Sequence, residues 1–432
     1  MRIGFLAFSI PGHMNPMTTL ARRLKARGHD VVIIGTLDGG PFAEAANLPF
    51  IPFCEEEYPL GSTQEITAKL SKLKGEEALA FGIQYVSEDL TAAFRHLPRT
   101  LRDAGVDALV LDQVKTNLGF VPMSLNMPYV HVSYALHFDY SGQTPYYGVD
   151  WPYDDSAESK AKYAETIKSV MQVLEPITAV GRAYVEKTGM KVDWTDPWVS
   201  HSKLLWLTQS PKELDFRADY MPPQFHYTGP FHDGLGRANA DFPWDKLTGE
   251  PLIYASMGTL QNGLEPVFSA IAEAVGDRAG MQLVMSIGSV LDPSQIRSLP
   301  PNAVVVNHAP QIEILKRAAL CITHAGFNTT VESLTQGVPM VAIPVAHDQP
   351  GAAARIAHTK TGVFVPLLEL TVPRLKALID EVLSNPEYRQ NAQKMKQAIA
   401  KANGLEKAVD LMEEAFDLRP EATQKADVLS VD

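Results

Sequence analysis

Residues 308–350 read HAPQIEILKRAALCITHAGFNTTVESLTQGVPMVAIPVAHDQP, and two apolar runs in this stretch, 319–324 and 338–344, lack the alternation of a half-exposed strand. They have the look of strands covered on both faces. Between them, 328–336 carries a helical period, and short helices are expected near 311–317 and 351–358. Strand, tight turn, helix and strand make the βαβ unit of a parallel sheet. His324 ends the first strand, Gly326 permits close backbone approach or a positive φ, and Asn328 or Thr329 can open the helix. Free amides at such a terminus, with the helix dipole, form an anion site that needs no lysine or arginine. A plain helix cap would also account for Asn328 or Thr329.

Working outward, the same alternation runs through 251–400, with strands expected at 252–257, 282–287 and 303–307 and helices near 265–275, 373–383 and 387–401. A second αβ half occupies 1–218, with strands at 2–8, 30–35, 108–112 and 128–134, and helices from Pro16 to Gly28 and over 116–125. The Pro-, Gly- and aromatic-rich stretch 219–250 reads as the interdomain linker. A helix within 401–420 is expected to pack back on the first half, and 421–432 to form an exposed tail. The fold class is therefore α/β: two Rossmann-like domains whose parallel sheets face each other across a cleft. The polar stretch 55–77 reads as a loop with short helical pieces, and 140–160 as either a pocket rim or a surface excursion.

The chain has 432 residues, a formal net charge of -12 and 20% charged residues. That balance excludes a broad nucleic-acid footprint, which requires clustered positive charge. Cys54 and Cys321 form neither a disulfide framework nor a cysteine-based zinc motif, so a reducing, cytoplasmic setting is expected. No run is long enough for a membrane span, which leaves only peripheral contact open, and a monomer is expected.

Several residues can join the anion site at 324–329. Gly258 and Thr259 follow a strand and offer amide and hydroxyl donors, or simply a tight turn. Glu332 would repel a phosphate, so its use would be to accept from ribose hydroxyls further out; alone, it is merely favourable early in a helix. His308 could stack on a flat base and Gln311 could bond a base edge or cap a helix. Asp348 and Gln349 suit sugar hydroxyls, with a solvated turn as the plain alternative.

These anchors, taken together over 308–350, resemble the donor-binding signature of the family 1, GT-B nucleotide-sugar glycosyltransferases, which include plant and bacterial natural-product enzymes. The resemblance implies that Gln311 contacts the base region, that Glu332 meets the ribose, and that His324, Gly326, Asn328 and Thr329, with Thr259, receive the diphosphate. It also implies that Asp348 and Gln349 hold the sugar, a pair similar to that of enzymes using glucose. His308 stands where plant members stack a tryptophan on uracil, which leaves UDP against dTDP open, and Phe327 replaces a tryptophan often found there.

In the first half, 11–16 read PGHMNP after the first strand. A histidine near neutral pKa can remove a hydroxyl proton, so His13 is the candidate base. Asp112, ending strand 108–112, could fix its tautomer, while an ordinary helix cap is the competing role. Asn15 and Gln113 are weaker candidates for shaping the site. The family resemblance supports the His13 and Asp112 assignments and implies an inverting transfer of a hexose, glucose foremost, from UDP-glucose or a related nucleotide sugar to a small hydrophobic hydroxylated acceptor of terpenoid, carotenoid, phenolic or macrolide type. The scheme calls for no prosthetic group and no metal. Phe81, Tyr85, Phe120, Met123, Phe138, Tyr140, Tyr146 and Tyr147 could line the acceptor pocket or equally be packing. The rival readings are a nucleotide-sugar epimerase and a non-catalytic nucleotide-binding protein; a nicotinamide oxidoreductase is disfavoured because the first turn lacks GxGxxG.

Overall fold

The apolar runs at the head of the chain form strands that pair side by side, as their lack of alternation requires. A computed structural model describes residues 1–418 except 71, 74, 116, 217–219, 237–240, 259–263, 277 and 279. Strands β1 (Arg2–Leu6), β2 (Asp30–Gly35), β3 (Phe50–Pro52), β4 (Ala108–Asp112), β5 (Tyr129–Ser133), β6 (Trp206–Thr208) and β7 (Phe225–Tyr227) make one parallel sheet in the order β3-β2-β1-β4-β5-β6-β7. Interspersed are α1 (Pro11–Ala26), α2 (Gly40–Ala45), α3 (Ser62–Leu70), α4 (Gly75–Asp103), α5 (Phe120–Ser124), α6 (Ala157–Val173) and α7 (Glu175–Thr188). The edge strand β7 falls inside 219–250, so that stretch contributes to the first sheet as well as crossing between domains.

The second sheet has the order β10-β9-β8-β11-β12-β13 and is also parallel. Its strands are β8 (Leu252–Ser256), β9 (Gln282–Ser286), β10 (Val304–Val306), β11 (Ala318–Thr323), β12 (Met340–Ala342) and β13 (Gly362–Phe364). Helices α8 (Glu265–Val275), α9 (Gln311–Leu315), α10 (Phe327–Gln336), α11 (Gln349–His358), α12 (Val372–Ser384) and α13 (Pro386–Ala402) cover it, and α14 (Gly404–Ala415) ends the described chain. Each sheet reverses its winding at its first strand, between β1 and β4 in one domain and between β8 and β11 in the other. Those reversals open crevices at the carboxyl ends of the strands, where open α/β sheets bind ligands. His13 and Asp112 sit at the first crevice, and Gly258 and His324 at the second.

The start of α1 differs from the sequence expectation. The helix begins at Pro11 rather than Pro16, so 11–15 is its first turn and not a loop. Pro11 fits there because the first helical amides lack partners anyway. Pro16 lies inside the helix and removes the amide that would have bonded the Gly12 carbonyl.

Helix α14 packs on the first domain, where Ala408, Val409, Met412 and Phe416 share a core with Met17, Leu20 and Leu24 of α1. Arg27 meets Glu406, Asp410 and Glu413 at 2.6, 2.6 and 2.8 Å along this seam. A buried pair, Arg355 Nε to Asp215 Oδ1 at 2.7 Å, ties α11 to the loop after β6. Among the described residues, no helix is long and apolar enough to cross a membrane.

Candidate active site

At the first crevice, His13 is the third residue of α1, and its Nδ1 lies 2.6 Å from Asp112 Oδ2. Asp112 closes β4 and is fully buried. The amides of Phe8, at 3.5 Å, and Val114, at 3.2 Å, point at its two oxygens. A carboxylate there accepts the Nδ1 proton and leaves Nε2 with its lone pair. Burial alone would lower the His13 pKa, but the charge and hydrogen bond of Asp112, helped by the charge of Asp348, outweigh burial and Lys115 and raise it. Asp348 belongs to the other domain, so the two halves of the cleft already meet electrostatically at His13.

They also meet through hydrogen bonds. Asn328 Nδ2 donates to the Gly12 carbonyl at 2.6 Å, the carbonyl that Pro16 leaves without a helical partner. Gln209 Nε2 donates to Asn328 Oδ1 at 2.7 Å and also to the Tyr134 carbonyl. Asp348 Oδ2 accepts from the Leu136 amide at 2.9 Å. Gln113 holds the loop carrying that amide: it donates to the Leu136 carbonyl at 2.9 Å and accepts from Ser133 Oγ at 2.6 Å and the Phe138 amide at 3.2 Å. Asn15 uses its carbonyl to accept from Thr18 and Thr19 within α1.

At the second crevice the helix begins at Phe327 with Gly326 as its cap, placing Asn328 and Thr329 in the first turn, where backbone amides are free of intrahelical partners. Gly326 has φ -58, so a left-handed backbone is not its role; Ala325 takes the positive φ, 61°. Close packing is the reason for glycine: a Cβ at Gly326 would lie 2.2 Å from His324 Nε2, and one at Gly258 would lie 2.4 Å from the same atom. Burial, partly opposed by a bond with the Ser256 backbone, lowers the His324 pKa to about 4. Its ring is therefore neutral at pH 7, and positive character at this crevice comes from backbone dipoles.

Gln311 draws the next group together. Its Nε2 donates to Glu332 Oε2 at 2.8 Å and approaches Thr329 Oγ1 at 3.3 Å, while its Oε1 accepts from Tyr254 at 3.1 Å. Gln349 opens α11, is buried, and accepts from the amides of Val345 and Ala346 at 2.8 and 3.0 Å, which fixes the turn that carries Asp348. His308 is exposed and meets Ser289 Oγ at 3.0 Å. Thr259 lies outside the described residues.

The comparisons with known proteins concern the same constellation. Residues 178–410, more than half of the chain, match the model of the UDP-glucoronosyl and UDP-glucosyl transferase family. The chain belongs to this family. A zeaxanthin glucosyltransferase of Pantoea ananas is 26% identical over 416 residues, covering 95% of this chain and 96% of that protein. Among solved structures, the glycotransferase of kitacinnamycin superposes with a TM-score of 0.73 at 22% identity, covering 96% of this chain and 98% of that one. The calicheamicin glycosyltransferase CalG4 gives 0.72 at 20% identity with the same coverage. The fold is GT-B, and the protein is an enzyme that transfers sugar from a nucleotide-sugar donor.

The glycosyltransferase has a recess beside His13 lined by Phe8, Thr36, Phe53, Tyr58, Tyr85 and Lys115, among others. The rings of Phe8 and His13 are 6.3 Å apart, edge to face. Of the residues proposed for an acceptor pocket, Tyr85 lines this recess. Phe120 and Met123 do not; Phe120 is buried in the apolar core with Ile177, Tyr184 and Val185 of α7, and Met123 packs against it. Phe81 packs under Lys69, whose Nζ is 4.5 Å from its ring. Phe138, Tyr140, Tyr146 and Tyr147 form an aromatic cluster, with Phe138 and Tyr147 stacked at 4.5 Å, where the Gly351 amide of α11 bonds the Tyr147 carbonyl at 2.9 Å. The 138–147 segment thus seats one domain of the glycosyltransferase on the other. Sequence reasoning missed Phe8, Tyr58, Gln209 and Tyr254, which belong to no motif. Phe8 and Tyr254 had a signal, since they lie in the strands expected at 2–8 and 252–257; Gln209 follows β6, a strand not expected from the sequence.

Proposed function

We propose that this glycosyltransferase moves a hexose, glucose foremost, from UDP-glucose to a hydroxyl of a small hydrophobic acceptor with inversion, giving a β-glycoside. The observation that carries the reading is the His13–Asp112 pair at 2.6 Å, lying where Asp348 of the other domain acts on the same imidazole. In this scheme the acceptor sits in the recess of Phe8, Tyr58 and Tyr85, and His13 Nε2 takes its hydroxyl proton as the oxygen attacks the anomeric carbon. Asp112 holds the ring and balances the imidazolium that forms. The nucleoside diphosphate leaves on the opposite face toward the first turn of α10, where free amides, Asn328, Thr329 and neutral His324 receive its charge. Glu332, paired with Gln311, meets the ribose, His308 the base, and Asp348 and Gln349 the sugar. The aromatic lining of the recess and the zeaxanthin glucosyltransferase relative both support a greasy acceptor.

The test combines UDP-glucose with a panel of phenols and terpenoid alcohols, and follows UDP release and product mass. Transfer should require an acceptor, and His13→Ala should remove most of it while UDP still binds. Sugar turnover without any acceptor, or a His13→Ala enzyme with wild-type transfer, would overturn the reading.

A further inference from the structure

Away from the donor crevice, the turn after β3 and the helix α4 bring together three side chains of different donor chemistry. The Cys54 sulfur, a Glu57 carboxylate oxygen and a His96 ring nitrogen all lie within 4.8 Å of one another. His96 Nε2 is 2.8 Å from Glu57 Oε1, which Arg95 also approaches at 3.3 Å from the surface. An ion pair of that kind accounts for two of the three residues. It leaves two observations without a reason. The thiol is drawn into the cluster by a backbone with φ 56 at Cys54, a left-handed conformation that non-glycine residues seldom adopt. The other carboxylate oxygen, Glu57 Oε2, is buried and has no hydrogen-bond partner among the described residues.

We propose that Cys54, Glu57 and His96 form a binding site for a zinc-class divalent cation, one that braces the wall of the acceptor recess. A thiolate, a carboxylate and an imidazole are the donor set that Zn²⁺ prefers over Mg²⁺ or Ca²⁺, and water completes a tetrahedron. Bonds of about 2.0–2.3 Å place such donors about 3.5 Å apart, so the cluster closes around a metal with small side-chain movements. Binding forms the sulfur–metal bond and releases the Cys54 thiol proton to solvent, and the two anionic ligands then balance the ion's charge. The metal would satisfy Glu57 Oε2 and join the 54–58 turn to α4. That turn is closed by the Tyr58 amide bonding the Cys54 carbonyl at 2.8 Å, and Tyr58 lines the recess. The site is remote in sequence, since His96 lies 39 residues beyond Glu57, which is why no metal motif can be seen in the chain.

The experiment strips the full-length protein with chelator and titrates it with Zn²⁺ by calorimetry, then with Co²⁺ by absorption. One equivalent of Zn²⁺ should bind, and Co²⁺ should show a near-ultraviolet thiolate charge-transfer band. Cys54→Ser and His96→Ala should each weaken Zn²⁺ binding at least about tenfold, since even groups outside a metal's ligand shell contribute that much. Both variants should keep wild-type circular dichroism and UDP affinity, because neither residue belongs to the donor crevice. Amide exchange at Tyr58 should slow when Zn²⁺ is present. Absence of stoichiometric binding, wild-type Zn²⁺ affinity in either variant, or a cobalt spectrum without the thiolate band would refute the site. Unchanged exchange at Tyr58 with zinc bound would refute the brace.

Discussion

Asp112→Asn keeps the shape of the buried side chain and removes its charge, so it isolates what the carboxylate does for His13. In the wild type the 2.6 Å bond holds the proton on Nδ1 and keeps Nε2 basic. An amide can instead offer an N–H to Nδ1, which moves the proton to Nε2 and removes the base. General-base assistance is worth about 10²–10⁴-fold, or about 3–5 kcal/mol of barrier, and kcat/KM should fall by that amount. The pH profile gives a second, independent readout. A base at His13 works only above its pKa, which Asp112 raises; with Asp112 neutral, burial and Lys115 still lower it and only Asp348 opposes them. The acidic limb of the residual activity should therefore move to lower pH. Stability follows the same linkage: a raised histidine pKa contributes stability that is full below the unfolded value and is lost as pH rises through the folded one. The stability gap between wild type and variant should narrow over that interval. Initial rates of UDP release across about pH 5 to 9, with urea unfolding at the same pH values, supply both measurements. Wild-type kcat/KM with an unmoved acidic limb would refute the argument that Asp112 acts through His13.

Asn328→Leu leaves the Gly12 carbonyl without its partner, at a cost of about 1–3 kcal/mol, and leaves the Gln209 amide only its bond to the Tyr134 carbonyl. UDP affinity and thermal stability should both drop, whereas a loss confined to UDP binding would show that the link to α1 is idle. Arg355→Met strands the Asp215 carboxylate, which burial opposes but Arg355 and His137 hold down at about 2. Urea unfolding should register a loss of about 3–5 kcal/mol, largely recovered by adding Asp215→Asn. His131 and His201 are buried, with rings 4.8 Å apart, and burial lowers both pKa values, that of His201 to about 3. The unfolded chain therefore takes up more protons as pH falls below the ordinary histidine value, and each of these two histidines should steepen the decline in stability by up to about 1.4 kcal/mol per pH unit there. Replacing His201 with Phe should remove up to about 1.4 kcal/mol per pH unit from that slope in urea titrations.

The strands β2 and β4 have the bounds expected from the sequence, as does α8, because fully covered strands and strongly periodic helices write their environment into composition. Helix α4 is amphipathic as well, yet no helix was expected over 75–103. Leu90, Ala92, Ala93, Leu97 and Leu101 are its buried residues, all in its second half, and its first half joins the polar stretch that reads as loop. The two prolines of PGHMNP similarly suggested a turn, where one opens the helix and the other frees a carbonyl for the opposite domain.

Sequence by itself determined which side chains stand at the two crevices, because residues at the carboxyl ends of parallel strands fall in short ordered stretches: PGHMNP, HAPQ, THAGFNTT and AHDQP. It also determined the two-domain plan, since the strand and helix periods repeat on either side of 219–250. Tertiary structure alone decided how the crevices are joined. The bonds from Asn328 to Gly12, from Leu136 to Asp348 and from Gln209 to Asn328 span more than a hundred residues each. Local periodicity records which face of an element is covered, but it holds no trace of which distant carbonyl a given amide will reach. That choice is made only when the two sheets have formed and the cleft between them fixes the distances.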